Sequence, residues 1–279
     1  MNNLPPLHAA RLLKDYGLHA TKSLGQNFLE DPQALQRIAD AASIGPADTV
    51  LEVGPGLGSL TRYLASRAHE VVAVELDSNF APVLKKVLKP YPNTRIVQGD
   101  ILELAPAELG LPEGYLVAAN IPYNITSALI RHLLSSSPIP ARIVLTIQKE
   151  VAERICATPP DMSLLALSVQ VYGEPDIVAR IPAAAFYPAP QVDSAVVSIE
   201  IYPEPMVGRE LLPAFFELIK AGFSQKRKTL RNALSAGLRI EREQAADLLT
   251  RNGIDPMRRA ETLELEEWEK LTRSWHGRG

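Results

Sequence analysis

Five short apolar runs, each rich in β-branched residues, punctuate the first two thirds of the chain: 49–53 (TVLEV), 70–75 (EVVAVE), 94–98 (TRIVQ), 115–119 (YLVAA) and 142–147 (RIVLTI). Runs of this length without polar alternation read as strands covered on both faces. Helix-period segments separate them, near 32–42, 58–67, 78–89, 125–135 and 149–156. Asp31-Pro32 is a start signal for the first of these helices, an N-cap followed by a proline whose missing N–H costs nothing in the first turn. Strands alternating with helices predict an α/β domain with a parallel, Rossmann-like sheet and helices on both faces.

Two further strands are expected at 176–181 and 192–201, the second alternating with period two, and they suit a late hairpin added to the sheet. Residues 202–208 (YPEPMVG) read as a linker. Beyond them the pattern is helical, near 210–222, 227–236, 242–251 and 264–274, with Gly237 and Gly253 as stops. The expected division is an α/β domain at 1–203 and a small helical domain at 204–279.

Composition narrows the function classes. Hydrophobic residues make up 46% and charged residues 22%, enough apolar material for a core. Lys+Arg number 29 and Asp+Glu 32, a net charge of −3, so nucleic-acid binding has to rest on local charge. The single cysteine, Cys156, excludes an internal disulfide and argues against a thiolate zinc cluster; no metal is expected. No stretch approaches the roughly 20 apolar residues of a membrane span, and the first residues lack the layout of a secretory signal. The expected setting is cytoplasmic, with no membrane partner.

The sharpest local signal is Glu52-Val53-Gly54-Pro55-Gly56-Leu57-Gly58-Ser59, which leaves a strand and opens a helix. Glycines there let the backbone turn tightly and approach a ligand, and the helix start offers free N–H groups. Glu75 ends the next strand, where a carboxylate can accept both hydroxyls of a ribose. Asp100 closes the third run, where it can accept from an adenine amino group. The third glycine falls one place early for a dinucleotide fingerprint. Glu52 and Asp100 suit S-adenosylmethionine better. A tight turn without a ligand, and Asp100 as a simple cap, are the plainer readings.

Asn120-Ile121-Pro122-Tyr123 ends the fourth run beside the same edge. It suits methylation of an exocyclic amine, whose lone pair is delocalised into the ring. The Asn120 side-chain carbonyl and the Ile121 backbone carbonyl can hold the N–H groups, Pro122 stiffens the turn, and Tyr123 can stack on the base. Phe186, opening Phe186-Tyr187-Pro188-Ala189-Pro190, can face the other side of a base drawn out of its stack; packing beneath a loop is the alternative. Residues 220–240 hold six Lys or Arg and no Asp or Glu, and Lys226, Arg227, Lys228 and Arg231 are the candidate RNA contacts.

In order along the chain, KSLGQNFL (22–29), EVGPGLG (52–58), VELD (74–77), GD (99–100), NIPYNI (120–125), FYPAPQVDS (186–194) and FSQKRKTLRN (223–232) make it resemble the ribosomal RNA adenine N6-dimethyltransferases over nearly its whole length, with the bacterial small-subunit branch nearest. The resemblance implies a class I methyltransferase sheet with a C-terminal RNA-binding domain. It implies transfer of methyl groups from S-adenosylmethionine to N6 of two adjacent adenosines in a 3′-terminal hairpin loop of 16S rRNA, within an immature 30S subunit, by a monomer. Position by position it assigns Asn27, Leu29, Gly54, Glu75, Asp100 and Asn120 to the cofactor, and Asn120, Ile121, Pro122, Tyr123 and Phe186 to the target base. Gln191 stands where the family often has Lys, and Lys226-Arg227 replaces a more usual Arg-Arg pair. Three alternatives share parts of this pattern: a large-subunit (23S) rRNA adenine methyltransferase of the macrolide-resistance type, an NAD-dependent dehydrogenase, and a non-catalytic RNA-binding assembly factor.

Overall fold

The computed structural model describes residues 4–21, 24–122 and 125–277. The chain forms two compact units, Met1–Ala152 with Asp176–Ile201, and Glu153–Pro175 with Tyr202–Gly279.

The first unit carries α1 (Ala9–Asp15), β1 (Phe28–Leu29), α2 (Pro32–Ala41), β2 (Thr49–Val53), α3 (Ser59–Ala65), β3 (Glu70–Glu75), α4 (Ala81–Val87), β4 (Thr94–Gln98), β5 (Leu116–Asn120), α5 (Thr126–Ser135) and β6 (Arg142–Gln148). Then α6 (Lys149–Ile155) leads to the second unit, α7 (Leu164–Gln170) lies within it, and β7 (Gly173–Ile181) leads back to β8 (Phe186–Tyr187) and β9 (Ser194–Ile201). The start signal for α2 works as expected: the Asp31 side chain accepts from the Gln33 N–H at 2.9 Å and Pro32 takes the first position.

Seven strands form one sheet in the order β4-β3-β2-β5-β6-β9-β7. The five strands read from the sequence pair in parallel, with Val50 opposite Val71 and Val117 opposite Ile143. β9 joins antiparallel to β6, with Leu145 opposite Val197. The chain runs outward from β2 to β4, then returns to place β5 on the other side of β2. That reversal is where an open α/β sheet leaves a crevice at its carboxyl edge. One expectation fails at β4. It is an edge strand, its residues range from half-buried to exposed, and Ile96 is 37% exposed. Only strands flanked on both sides are buried on both faces.

Leu35, Ile38, Leu64, Val71, Ala118, Val144 and Val196 belong to one buried cluster, where helices cover the sheet. A smaller cluster joins α1 to Phe28, Leu57, Phe80 and Leu84. Neither α1, β1, α7 nor β8 is expected from the sequence, being two to seven residues long.

In the second unit, α8 (Leu212–Phe223), α9 (Leu230–Leu238), α10 (Arg242–Arg251) and α11 (Leu265–His276) surround Trp268, Phe215 and Leu218. The expected division at 203/204 differs from this packing in one respect. Residues 153–175 pack in the helical unit, because Ala166, Leu167 and Val171 share its buried cluster. Gly253, with φ +75°, follows α10 as expected, but Gly237 lies inside α9, packed on Ala221 of α8. α9 instead ends at Arg239 in the left-handed region, φ +57°.

Candidate active site

A cavity of about 160 Å3 opens at the carboxyl ends of β2, β3, β4 and β5, in the first unit. Its walls include Glu52, Gly54, Gly56, Glu75, Asp100, Asn120, Ile121 and Pro122, and its cover includes Gln26, Asn27, Phe28 and Leu29. The glycine turn after β2 has the backbone its sequence requires. Gly56 sits at φ +54° with the Phe28 ring so close that an added Cβ would lie 3.0 Å from it, and Gly58 adopts φ +81° at the start of α3.

Glu75 is 6% exposed and already accepts two backbone N–H bonds, from Gly56 at 2.9 Å and from Asp77 at 2.9 Å. A carboxylate has about four acceptor positions, so two remain for a ligand. Burial pushes the Glu75 carboxyl upward, and these N–H bonds oppose the rise. Asp100 uses one oxygen to accept from the Leu102 N–H at 2.9 Å, so the capping role and a place on the cavity wall coexist.

Glu52 is the residue whose role the sequence reading understates. It is 1% exposed, its Oε2 has no hydrogen-bond partner, and it lines the cavity. Burial raises its pKa to about 8, the nearby Thr61 hydroxyl lowering it and the Glu75 charge raising it. A buried unpaired carboxyl is costly unless something completes it.

The cover is tied down at several points. Leu29 stands opposite Phe186, and Phe28 opposite Tyr187, in an antiparallel ribbon of β1 and β8. The Asn27 side chain donates to the Gly25 carbonyl at 3.1 Å. The Asn27 backbone carbonyl accepts the Asn120 Nδ2–H at 3.0 Å. One N–H of the Asn120 amide is thereby used, and the oxygen end is the acceptor left for a substrate. Gln26 bonds to Thr21 and Asp77, a role that only its place inside a longer motif could have signalled.

The site residues expected from the sequence thus converge, with two exceptions. Tyr123 lies outside the described residues. Phe186 is 4% exposed and packs in the cluster of Leu35, Ile38 and Val196, and it is not part of the cavity wall. Among the described residues no group of three or more His, Cys, Asp or Glu could hold a metal ion.

In the second unit, Lys226, Arg227 and Lys228 are exposed, but they occupy the turn between α8 and α9 rather than a helix face. Helix expected from 227 begins only at Leu230, whose N–H bonds the Arg258 carbonyl at 2.7 Å. Arg259 donates to the Lys226 carbonyl and so braces that turn. Arg231 differs from its neighbours: it is half-buried, and its Nε is enclosed with no hydrogen-bond partner.

A mainly parallel sheet with a glycine turn after one strand, acids at the ends of the next two and a cavity at the switch point defines a class I methyltransferase fold. Two solved structures share it. A dimethyladenosine transferase from Plasmodium falciparum superposes with TM-score 0.79 at 27% identity, covering 90% of this chain and 98% of that one. The 23S rRNA methyltransferase ErmE superposes with TM-score 0.73 at 29% identity, covering 89% of this chain and 99% of that one. The chain belongs to the ribosomal RNA adenine dimethylase family, which matches residues 17–275. A relative from Dehalococcoides mccartyi (strain CBDB1), Ribosomal RNA small subunit methyltransferase A, is 47% identical over 270 residues, covering 96% of this chain and 93% of its own.

Proposed function

We propose that this adenine dimethyltransferase uses S-adenosylmethionine to dimethylate N6 of two adjacent adenosines in a 3′-terminal hairpin loop of 16S rRNA. It acts in the cytoplasm, as a monomer, on an immature 30S subunit. The observation that carries the reading is the Asn120 amide, which lines the cavity with its nitrogen end turned to the Asn27 carbonyl.

The donor set fits the cofactor. Glu75 retains acceptor positions for two ribose hydroxyls, Asp100 retains one carboxylate oxygen for an adenine amine, and the unpartnered Glu52 oxygen suits a cationic group. Gly54, Asn27 and Leu29 supply backbone and cover. When bound, S-adenosylmethionine supplies an electrophilic methyl on a sulfonium.

The chain's own task is to make a poor nucleophile reactive. The Asn120 Oδ1 and the Ile121 carbonyl accept the amine N–H groups, which draws the nitrogen lone pair out of conjugation with the ring and aims it at the methyl. Pro122 fixes the backbone at that turn, and Tyr123 stacks on the base. The amine gives up its proton to solvent after the new C–N bond forms, so catalysis is positioning and charge placement rather than general base chemistry. In the second unit Lys226, Arg227, Lys228 and Arg231 hold RNA phosphates, which position the substrate without reading its sequence.

The small-subunit relative at 47% identity, against 29% for ErmE, supports 16S over 23S rRNA as the substrate. The family supports methyl transfer over hydride transfer, and the intact acids and Asn120 support an active enzyme over an assembly factor without turnover. The test is transfer of labelled methyl groups into 30S particles that lack the modification. The expected result is incorporation there, none into 50S particles, and loss of it in Asn120→Ala. Incorporation into 50S alone would reverse the assignment.

A further inference from the structure

The Asn120 amide is nearly symmetric in shape but not in chemistry. Flipped by 180° it would offer N–H groups to the N–H groups of the target amine. The Asn27 carbonyl, 3.0 Å from Asn120 Nδ2, selects the productive orientation. What holds that carbonyl is therefore part of the catalytic problem. On the carboxyl side the covering segment is pinned by the ribbon of Phe28 and Leu29 with Tyr187 and Phe186. On the amino side Gln26 ties it to Asp77, in the turn that follows β3.

Both ends of the Gln26 amide are used. Its Oε1 accepts the Thr21 N–H at 2.8 Å and its Nε2 donates to Asp77 Oδ2 at 3.0 Å. Asp77 is itself fixed. Its Oδ1 accepts from the Asn79 backbone at 3.1 Å and side chain at 2.8 Å, and its N–H donates to Glu75 at 2.9 Å. One chain of bonds thus runs from Thr21 through Gln26 and Asp77 to Glu75, while the residue after Gln26 orients Asn120. A bond to a carboxylate is stronger than one between neutral groups.

We propose that Gln26 is a positioning residue for methyl transfer: by clasping Asp77 it holds the covering segment so that the Asn27 carbonyl presents Asn120 in its reactive orientation. The inference rests on the adenine-methylation reading above. It extends that reading to a residue that touches neither reacting atom.

A charge swap tests it. Gln26→Glu keeps an acceptor for Thr21 but sets a second carboxylate against Asp77. Adding Asp77→Asn restores a donor to that carboxylate while its oxygen still caps Asn79. With unmodified 30S particles and saturating S-adenosylmethionine, kcat of Gln26→Glu falls about 10- to 100-fold, the equivalent of one hydrogen bond to a charged group. The double variant recovers most of that loss, because two residues in one hydrogen-bond network couple rather than add. Gln26→Ala also loses kcat, and Asp77→Asn does not restore it. Amide exchange over residues 21–29, measured without cofactor or RNA, accelerates in Gln26→Glu and slows again in the double variant. A Gln26→Glu enzyme with wild-type kcat, a double variant no better than the single, or unchanged exchange would each overturn the clasp. A wild-type protein that methylates no small-subunit RNA would instead overturn the functional reading, and the exchange measurement would still decide whether the clasp exists.

Discussion

Leu29 and Phe186 stand opposite one another in a ribbon of two-residue strands, 157 positions apart in the chain, so the cover of the cavity and the loop after β7 share one set of backbone hydrogen bonds. Phe186 is also a core residue, 4% exposed. Phe186→Ala should therefore cost about 3–5 kcal/mol of stability, as truncation of a buried aromatic does. Phe186→Leu should cost under about 1.5 kcal/mol, as a swap that conserves most of the volume does. Urea unfolding of both variants measures this. If Phe186 serves only packing, Phe186→Leu keeps its methylation rate. If the ring also meets the target base, the rate falls although the fold holds.

Gly56 is strained against substitution twice over. Its φ of +54° disfavours any side chain, and an added Cβ would press on Phe28 at 3.0 Å. Gly56→Ala should lose about 1–2 kcal/mol of stability from the backbone alone. It should also weaken S-adenosylhomocysteine binding, because Phe28 lies in the cover and the Gly56 N–H holds Glu75. Titration calorimetry reads the second effect, and unchanged affinity would mean the turn tolerates the shift.

Glu52 makes stability fall as pH rises. Its carboxyl has a pKa of about 8 in the folded chain against 4.5 in the open one, so the folded state binds its proton more tightly. That contribution is complete below about 4.5 and disappears as pH climbs through about 8. Glu52→Gln removes the titration. Relative to wild type it should gain stability between pH 5 and pH 8.5, by an amount on the order of a few kcal/mol at the upper end, since each pKa unit is worth about 1.4 kcal/mol. Denaturant midpoints at the two pH values give the answer, and parallel pH profiles would remove Glu52 as the cause.

The turn 226–228 presents three cations to solvent. Replacing Lys226, Arg227 and Lys228 with Ala should weaken RNA binding and flatten its dependence on log salt by about 2–3. Cofactor affinity, set in the other unit, should stay as it was. Filter binding at several salt concentrations separates the outcomes, and an unchanged slope would place the RNA elsewhere.

Much of this architecture was legible because it is local. A β-branched run, an Asp-Pro helix start and a glycine-rich turn each carry their own physical cause, and β2, α2 and the turn at Gly54–Gly58 appear where those causes put them. What stayed hidden depends on distant partners. Nothing in FL at 28–29 marks a strand, because its partner at 186–187 lies far along the chain. Nothing near Glu52 reveals that burial leaves one of its oxygens alone. Phe186 carries the same letter whether its ring meets a base or fills a core, and the core packing it takes here rests on Leu35 and Ile38, distant in the chain.

Because α7 belongs to the helical unit although it precedes β7, that unit is not a cassette appended to the end of the chain. Cutting at residue 203 would strip away Ala166, Leu167 and Val171 and bare the side of Phe215 and Leu218 they help bury. A transplant of this unit into another chain would have to carry residues 153–175 as well as 202–279, and so would take two coordinated splices.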